Sequence, residues 1–398
     1  TTQRRGMHLY GLADELEVGG WIEVIASSES TGSTLLSTVD LDFRRAYAFG
    51  RTLEDLQLEL HQENRRLLGR LESTLVKGNF DAPLLPSPED PVVVELEYLR
   101  LEKLEQESDY SAMRPSDLFD FRISSQLLVY NDMQFSDFLV DGRPSENTLY
   151  IDNLSLRRDK IFITGLAQWD YDVVNDSHLS SLTVQASGEE FGQAIAGLGF
   201  GDTMQDGTLD FSGGFTWQAP LLGFSLDILH GDARMRIDDG VLNNVDPGGG
   251  RFVGLLSLSA LPRRLSLDFS DVTVEGMEFE KISGNYRLDN GILFTDDTRM
   301  DGPAARLKIS GKTGMIDRDY DQVILVTPKF RQTLPVIGAI AASTTVGWGL
   351  LLLQNLFKKS IDEAVEIEYR VTGSWDDPQI ELIKAVDENQ EDVPNAEK

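Results

Sequence analysis

Three aspartate pairs are the residues in this chain best suited to chemistry: Asp238-Asp239, Asp296-Asp297 and Asp376-Asp377. Glycoside hydrolysis needs two carboxyl groups across one bond, one as acid and the other as base or nucleophile. Each pair, however, stands beside Gly, Thr or Pro at the end of an apolar run, where aspartate is a turn former. Asp317, Asp319 and Asp321 have the spacing of the first half of a calcium loop. Gln322 replaces its glycine and Pro328 stands where its bidentate glutamate belongs. Alternate aspartates on a strand simply line its wet face. Gly311-Lys312-Thr313 has the form of the end of a phosphate loop, yet Arg306 occupies the first glycine position and a strand follows.

The four histidines, His8, His61, His178 and His230, lack ligand spacing. The absence of cysteine excludes disulfides and thiolate zinc. No G-x-S-x-G elbow and no H-E-x-x-H pair occurs. The expectation is a protein that is not an enzyme and carries no metal and no cofactor.

The elements that hold these residues are strands. From Arg263 to Pro328, apolar residues recur at every second position: Leu265, Leu267, Phe269; Val272, Val274; Tyr286, Leu288; Ile292, Phe294; Leu307, Ile309; Val323, Leu325. Polar residues such as Ser266, Asp268 and Lys308 alternate with them, the period of a strand with one greasy and one wet face. Asn290-Gly291 and Asp301-Gly302 tolerate the positive φ of tight hairpins. The pattern predicts an antiparallel meander.

The same period begins at Leu35 and runs through Val39, Leu41 and Phe43, then Leu56, Leu58 and Leu60. Asn79 to Pro91, with four prolines, reads as a loop, and Val92 restarts a strand. We expect a β-rich segment over residues 1–101, a charged connection over 102–117 and a sheet over 118–331. Asp141-Gly142 and Asp239-Gly240 mark further hairpins. Short helices are expected near 189–199 and 251–261. Gly165-x-x-x-Trp169 and Gly213-x-x-x-Trp217 are weakly self-similar. We expect an apolar helical segment over 332–359, closing strands over 360–386 and a disordered acidic tail over 387–398.

Gln332 to Phe357 holds 26 residues without a charge, long enough for about 39 Å of helix. Ser343-Thr344-Thr345 and three glycines interrupt it, while Trp348 and Lys358-Lys359 have the character of interfacial anchors. Its candidate membrane contacts are Val336, Ile337, Ile340, Trp348, Leu351, Leu352, Phe357, Lys358 and Lys359. A true membrane span here would separate the strands from Val365 onward from the sheet they match.

Sixty-six acidic residues against 36 basic ones leave a net charge of −30. Such a surface repels phosphate backbones, so no nucleic-acid partner is expected. Thr1-Thr2-Gln3-Arg4-Arg5 lacks an initiator Met or an apolar signal core, so we expect a C-terminal portion whose targeting segment lies upstream. From pattern alone, an antiparallel sheet most often buries its apolar face against another layer.

Asp246-Pro247-Gly248-Gly249-Gly250-Arg251-Phe252-Val253-Gly254-Leu255-Leu256 with Leu261-Pro262-Arg263-Arg264 strongly resembles the YhdP family of AsmA-like proteins. Thr295-Asp296-Asp297 with Met300-Asp301-Gly302-Pro303, and Val371-Thr372-Gly373-Ser374-Trp375-Asp376-Asp377-Pro378, resemble later blocks of the same family. The resemblance implies a mostly β fold: a long, curved, twisted antiparallel sheet with a taco-like groove and a few short helices. It implies a Gram-negative periplasmic protein, anchored in the inner membrane by an N-terminal helix outside this sequence.

The implied function is non-enzymatic phospholipid transport between membranes along the groove, supporting outer-membrane lipid homeostasis. Phospholipids and the inner leaflet of the outer membrane, or its proteins, are the implied partners. The expected groove lining is Leu265, Leu267, Phe269, Val272, Val274, Leu288, Ile292, Phe294, Leu307 and Ile309. The alternative is a periplasmic scaffold for outer-membrane protein assembly, with a dry closed core.

Overall fold

A computed structural model of the chain describes residues 7–17, 36–48, 51–101, 113–130, 133–196, 203–243, 277–303, 305–329, 365–375 and 377–387. Nineteen strands run through them and belong to one hydrogen-bonded sheet. The period-two alternation therefore folds as the sequence predicts, and the fold is mostly β.

The chain forms two compact units, one of Thr1–Ser187 with Ser212–Gly231, the other of Gly188–Phe211 with Asp232–Lys398. In the first lie β1 (Met7–Glu17), β2 (Leu36–Ala48), β3 (Arg51–Glu63), β4 (Arg66–Glu72), β5 (Val76–Pro83) and β6 (Val92–Leu101). They are followed by β7 (Phe121–Tyr130), β8 (Met133–Pro144), β9 (Thr148–Arg158), β10 (Ile161–Asp172) and β11 (Ser177–Gly188). The five-residue helix α1 (Phe191–Ile195) precedes β12 (Met204–Trp217) and β13 (His230–Leu242). The second unit contains β14 (Met277–Asp289), β15 (Ile292–Asp301), β16 (Ala305–Gly314), β17 (Asp319–Pro328), β18 (Val365–Ser374) and β19 (Pro378–Asp387).

Consecutive strands pair antiparallel from β2 to β6, from β7 to β10 and from β14 to β19. Among the described ladders, β1 with β2 and β6 with β7 are parallel. A parallel step needs a connection long enough to return the chain to the starting edge. After β6 that return ends in a 3-10 turn, Pro115–Asp117, where Asp117 Oδ2 accepts the Arg114 N–H at 2.9 Å.

At the Asn290-Gly291 hairpin the two residues have φ of 49° and 76°, so Asp289 pairs directly with Ile292. Three expected breaks fall elsewhere. Asp141-Gly142 lies inside β8 at a register shift, and Asp239-Gly240 lies inside β13 with Asp239 at φ 53°. Both are irregularities that keep a strand going rather than end it. Asn79–Pro83 belongs to β5, so the proline-rich loop begins only at Leu84. The helix expected near 251–261, the apolar segment 332–359 and the tail beyond Asp387 lie outside the described residues, Asp387 itself closing β19. Among the described residues no helix is long and apolar enough to cross a membrane.

Candidate functional site

The ladder registers make every cross-strand row a list of residues on one face. One such row crosses nine strands, from β2 to β10: Val39, Leu60, Gly69, Phe80, Val94, Ile123, Val140, Leu154 and Gly165. It contains no polar side chain. Eight strand spacings make it about 38 Å long. The adjoining row is Asp40, Glu59, Arg70, Asn79, Glu95, Ser124, Leu139, Ser155 and Thr164, nearly all polar. Period two has thus separated the two chemistries onto opposite faces across the first unit.

The next row on the apolar side, Leu41, Leu58, Leu71, Gly78, Leu96, Ser125 and Phe138, is likewise free of charge. Val39 and Leu96 are buried, whereas Leu60, Phe80, Val94, Ile123, Val140 and Leu154 are half-buried. Solvent-sized molecules reach this face. Ion pairs brace the other one: Arg122 Nε to Asp141 at 2.6 Å, Arg143 Nε to Asp152 at 2.9 Å and Arg157 Nη2 to Asp137 at 2.6 Å. Arg122 holds the Asp141 carboxyl below the usual carboxylate range.

One end of the apolar face is closed. Leu149, Ile151 and Trp169 form a buried cluster, with Met113 and Leu118 from the connection before β7 packed on it. The Trp169 indole N–H donates to His178 Nδ1 at 3.1 Å, which leaves the proton of a neutral imidazole on Nε2. Arg114 stacks 4.0 Å over Tyr171 and reaches Asp176 at 3.0 Å, tying that connection to β10.

In the second unit Ile282, Met300, Leu307, Val326, Ile367 and Ala385 form one row, and Thr298, Ile309, Ile324, Tyr369 and Leu382 the next on the same face. Here the face is shielded, Ile282 and Ile367 being wholly buried and Leu307 and Ile309 2% exposed. Two polar pairs are buried on it: Gln322 Nε2 donates to Thr313 Oγ1 at 2.7 Å, and the Thr295 and Thr298 hydroxyls meet at 2.8 Å.

Among the residues singled out from the sequence, Leu288, Leu307 and Ile309 share this inner face. Ile292 and Phe294 do not. The two-residue hairpin pairs Leu288 with Leu293, which puts Phe294 in a row with Arg287 and Lys312 on the charged face. Arg287 lies 4.8 Å over the Phe294 ring. That register corrects the expectation that Ile292 and Phe294 line the groove; Leu293 takes the inner position. Leu265, Leu267, Phe269, Val272 and Val274 lie outside the described residues, as do all nine candidate membrane contacts from Val336 to Lys359.

The aspartates behave as turn and strand residues. Asp238 pairs with Arg236 at 2.6 Å, Asp297 accepts from Asn285, and Asp321 pairs with Arg370 at 3.0 Å. Among the described residues no group of three acidic or histidine side chains is placed to hold a metal. A cavity of about 970 Å³ opens on β2–β6, and Asp40, Glu59, Arg70, Asn79 and Glu95 of the polar row all line it, with His61 and Asp81 beside them, so it belongs to the polar face.

The sequence model of the family described as YhdP protein matches residues 1–380. The chain belongs to the YhdP family. It is 29% identical over 153 residues to the intermembrane phospholipid transporter YhdP of Escherichia coli (strain K12). That match takes in 38% of this chain and 12% of the relative's length. No solved structure matches the chain. The nine-strand row was only partly visible beforehand: the β4 and β5 members, Gly69 and Phe80, sit in short strands with weak alternation.

Proposed function

We propose that this YhdP-family chain carries phospholipid between the membranes of the cell envelope, without catalysis, along the apolar face of β2–β10. The observation that supports this most directly is the charge-free row from Val39 to Gly165 beside a polar row on the opposite face. Each methylene moved from water onto such a face is worth about 0.8 kcal/mol. A row of similar Leu, Val, Ile and Phe side chains supplies that energy at every strand, with no charged site to trap a headgroup. The likeness to an intermembrane phospholipid transporter supports phospholipid as the cargo class. The charged, ion-paired face keeps the outside in water. Supporting outer-membrane lipid balance follows from a passage of this kind.

The test is the phospholipid retained by purified protein, measured by native mass spectrometry and thin-layer chromatography. Leu60→Asp with Val140→Asp places two charges in the half-buried row, and bound lipid should fall at least about tenfold for the loss of a few kcal/mol. A folded wild-type protein that retains no phospholipid, or a variant that retains as much, overturns the reading.

A further inference from the structure

The connection between β12 and β13 crosses the apolar face of the first unit, and its chemistry is that of the proposed cargo. Ala219-Pro220-Leu221-Leu222-Gly223-Phe224-Ser225-Leu226-Asp227-Ile228-Leu229 carries a single charge in eleven residues. Leu221 packs on the cluster of Leu149, Ile151 and Trp169. Phe224 stacks on Tyr130 of β7, with ring centres 6.1 Å apart, and meets Trp217 edge-on at 6.2 Å. One segment therefore touches β7, β9 and β10 from the apolar side.

How it is held differs from every neighbouring strand. Its main chain closes on itself in two 3-10 turns, Gly223 N donating to Pro220 O at 2.8 Å and Ile228 N to Ser225 O at 3.3 Å. The buried Ser180 hydroxyl and the Trp217 indole N–H pin its first residues, through Ala219 O at 2.7 Å and Pro220 O at 3.1 Å. Past Pro220, Leu221 and Phe224 pack on the sheet through contacts that hydrocarbon reproduces. Leu222, Phe224 and Leu226 meanwhile stay more than 40% exposed, as in a segment that never completes its burial.

We propose that this strap is an internal stand-in for lipid: it covers an acyl-chain site formed by Tyr130, Leu149, Ile151 and Trp169, and a phospholipid tail binds there by displacing Leu221 and Phe224. The inference rests on the apolar face being a lipid track and adds where along it a tail must compete with the protein itself. The anchor at Ala219 and Pro220 makes the strap a hinged cover that returns when the tail moves on.

The natural chain has no cysteine, so Tyr130→Cys with Phe224→Cys can be joined specifically by a short, thiol-cleavable bis-maleimide. The probe is a phospholipid bearing a diazirine on one acyl chain, and the readout is the position of its photo-adducts by peptide mass spectrometry. In the unjoined double variant adducts should appear on β9 and β10. Joining should reduce them about tenfold, and cleavage should restore them. Leu221→Ser, with both natural rings in place, should raise them. Unchanged β9 and β10 adducts in the joined protein, with normal circular dichroism, overturn the strap inference and leave the lipid track standing. Absence of adducts from all variants overturns both.

Discussion

The ring of Phe80 lies across the Cα of Gly69, its directly opposite partner on β4, so closely that a Cβ at Gly69 would stand 2.5 Å from the ring. Phe121 covers Gly142 in the same way on β7 and β8. Both glycines sit in apolar rows, where the aromatic neighbour spreads over the space a side chain would fill. Gly69→Val forces that ring upright, and we expect a loss of about 1–3 kcal/mol by urea denaturation. Gly69→Val with Phe80→Ala should recover part of it. An unchanged midpoint for the single variant would show that the ring is free to move.

Phe294 and Ile309 offer a direct comparison of the two faces. Ile309→Ala removes a side chain that is 2% exposed and should cost about 2–5 kcal/mol. Phe294→Ala loses mainly the Arg287 contact and should cost about 0.5–1 kcal/mol. The reverse order would mean that the register set at Asn290-Gly291 is wrong.

Two aspartates should respond oppositely to acid. Arg122 holds the Asp141 carboxyl down, so its folded value is below its unfolded one. The stabilisation is present at neutral pH and is lost as pH falls through the folded value, below about pH 4. Burial instead raises Asp120, whose Oδ1 has no partner. Its ionised form opposes folding, and acidification through its raised value relieves the fold. At pH 7, Asp141→Asn should lower the melting temperature and Asp120→Asn should raise it. Both differences should shrink toward acid, and thermal melts from pH 3 to 7 decide it.

Gln322 and Thr313 are a polar pair inside an apolar face. Gln322→Ala alone strands the Thr313 hydroxyl and should cost about 1–3 kcal/mol, whereas Thr313→Val with Gln322→Leu should cost less than the sum of the single changes. Additivity in the cycle would show that the bond contributes nothing.

The strands were readable from the sequence because each long one repeats its apolar period several times. Leu56, Leu58 and Leu60, or Leu307 and Ile309, leave little choice of face. Phe294 is hard to place from sequence for a specific reason: Ile292, Leu293 and Phe294 are all apolar, so the turn, not the residues, sets the parity. Phe80 was hidden among Gly78, Asn79 and Pro83, where small and turn-forming residues mask a strand held by its neighbours. The crossing of Ala219 to Leu229 had no periodic signal, since its position depends on Tyr130 and Trp169, some 50 to 90 residues earlier in sequence.

Almost every ladder here joins a strand to the next one along the chain. Such an array can be lengthened by copying a hairpin, without redesigning any distant contact. Reach is then an additive property of the gene. Removing β18 and β19 together should leave β14–β17 paired and melt the remainder only slightly earlier, whereas excising β16 from the middle should unzip strands on both sides.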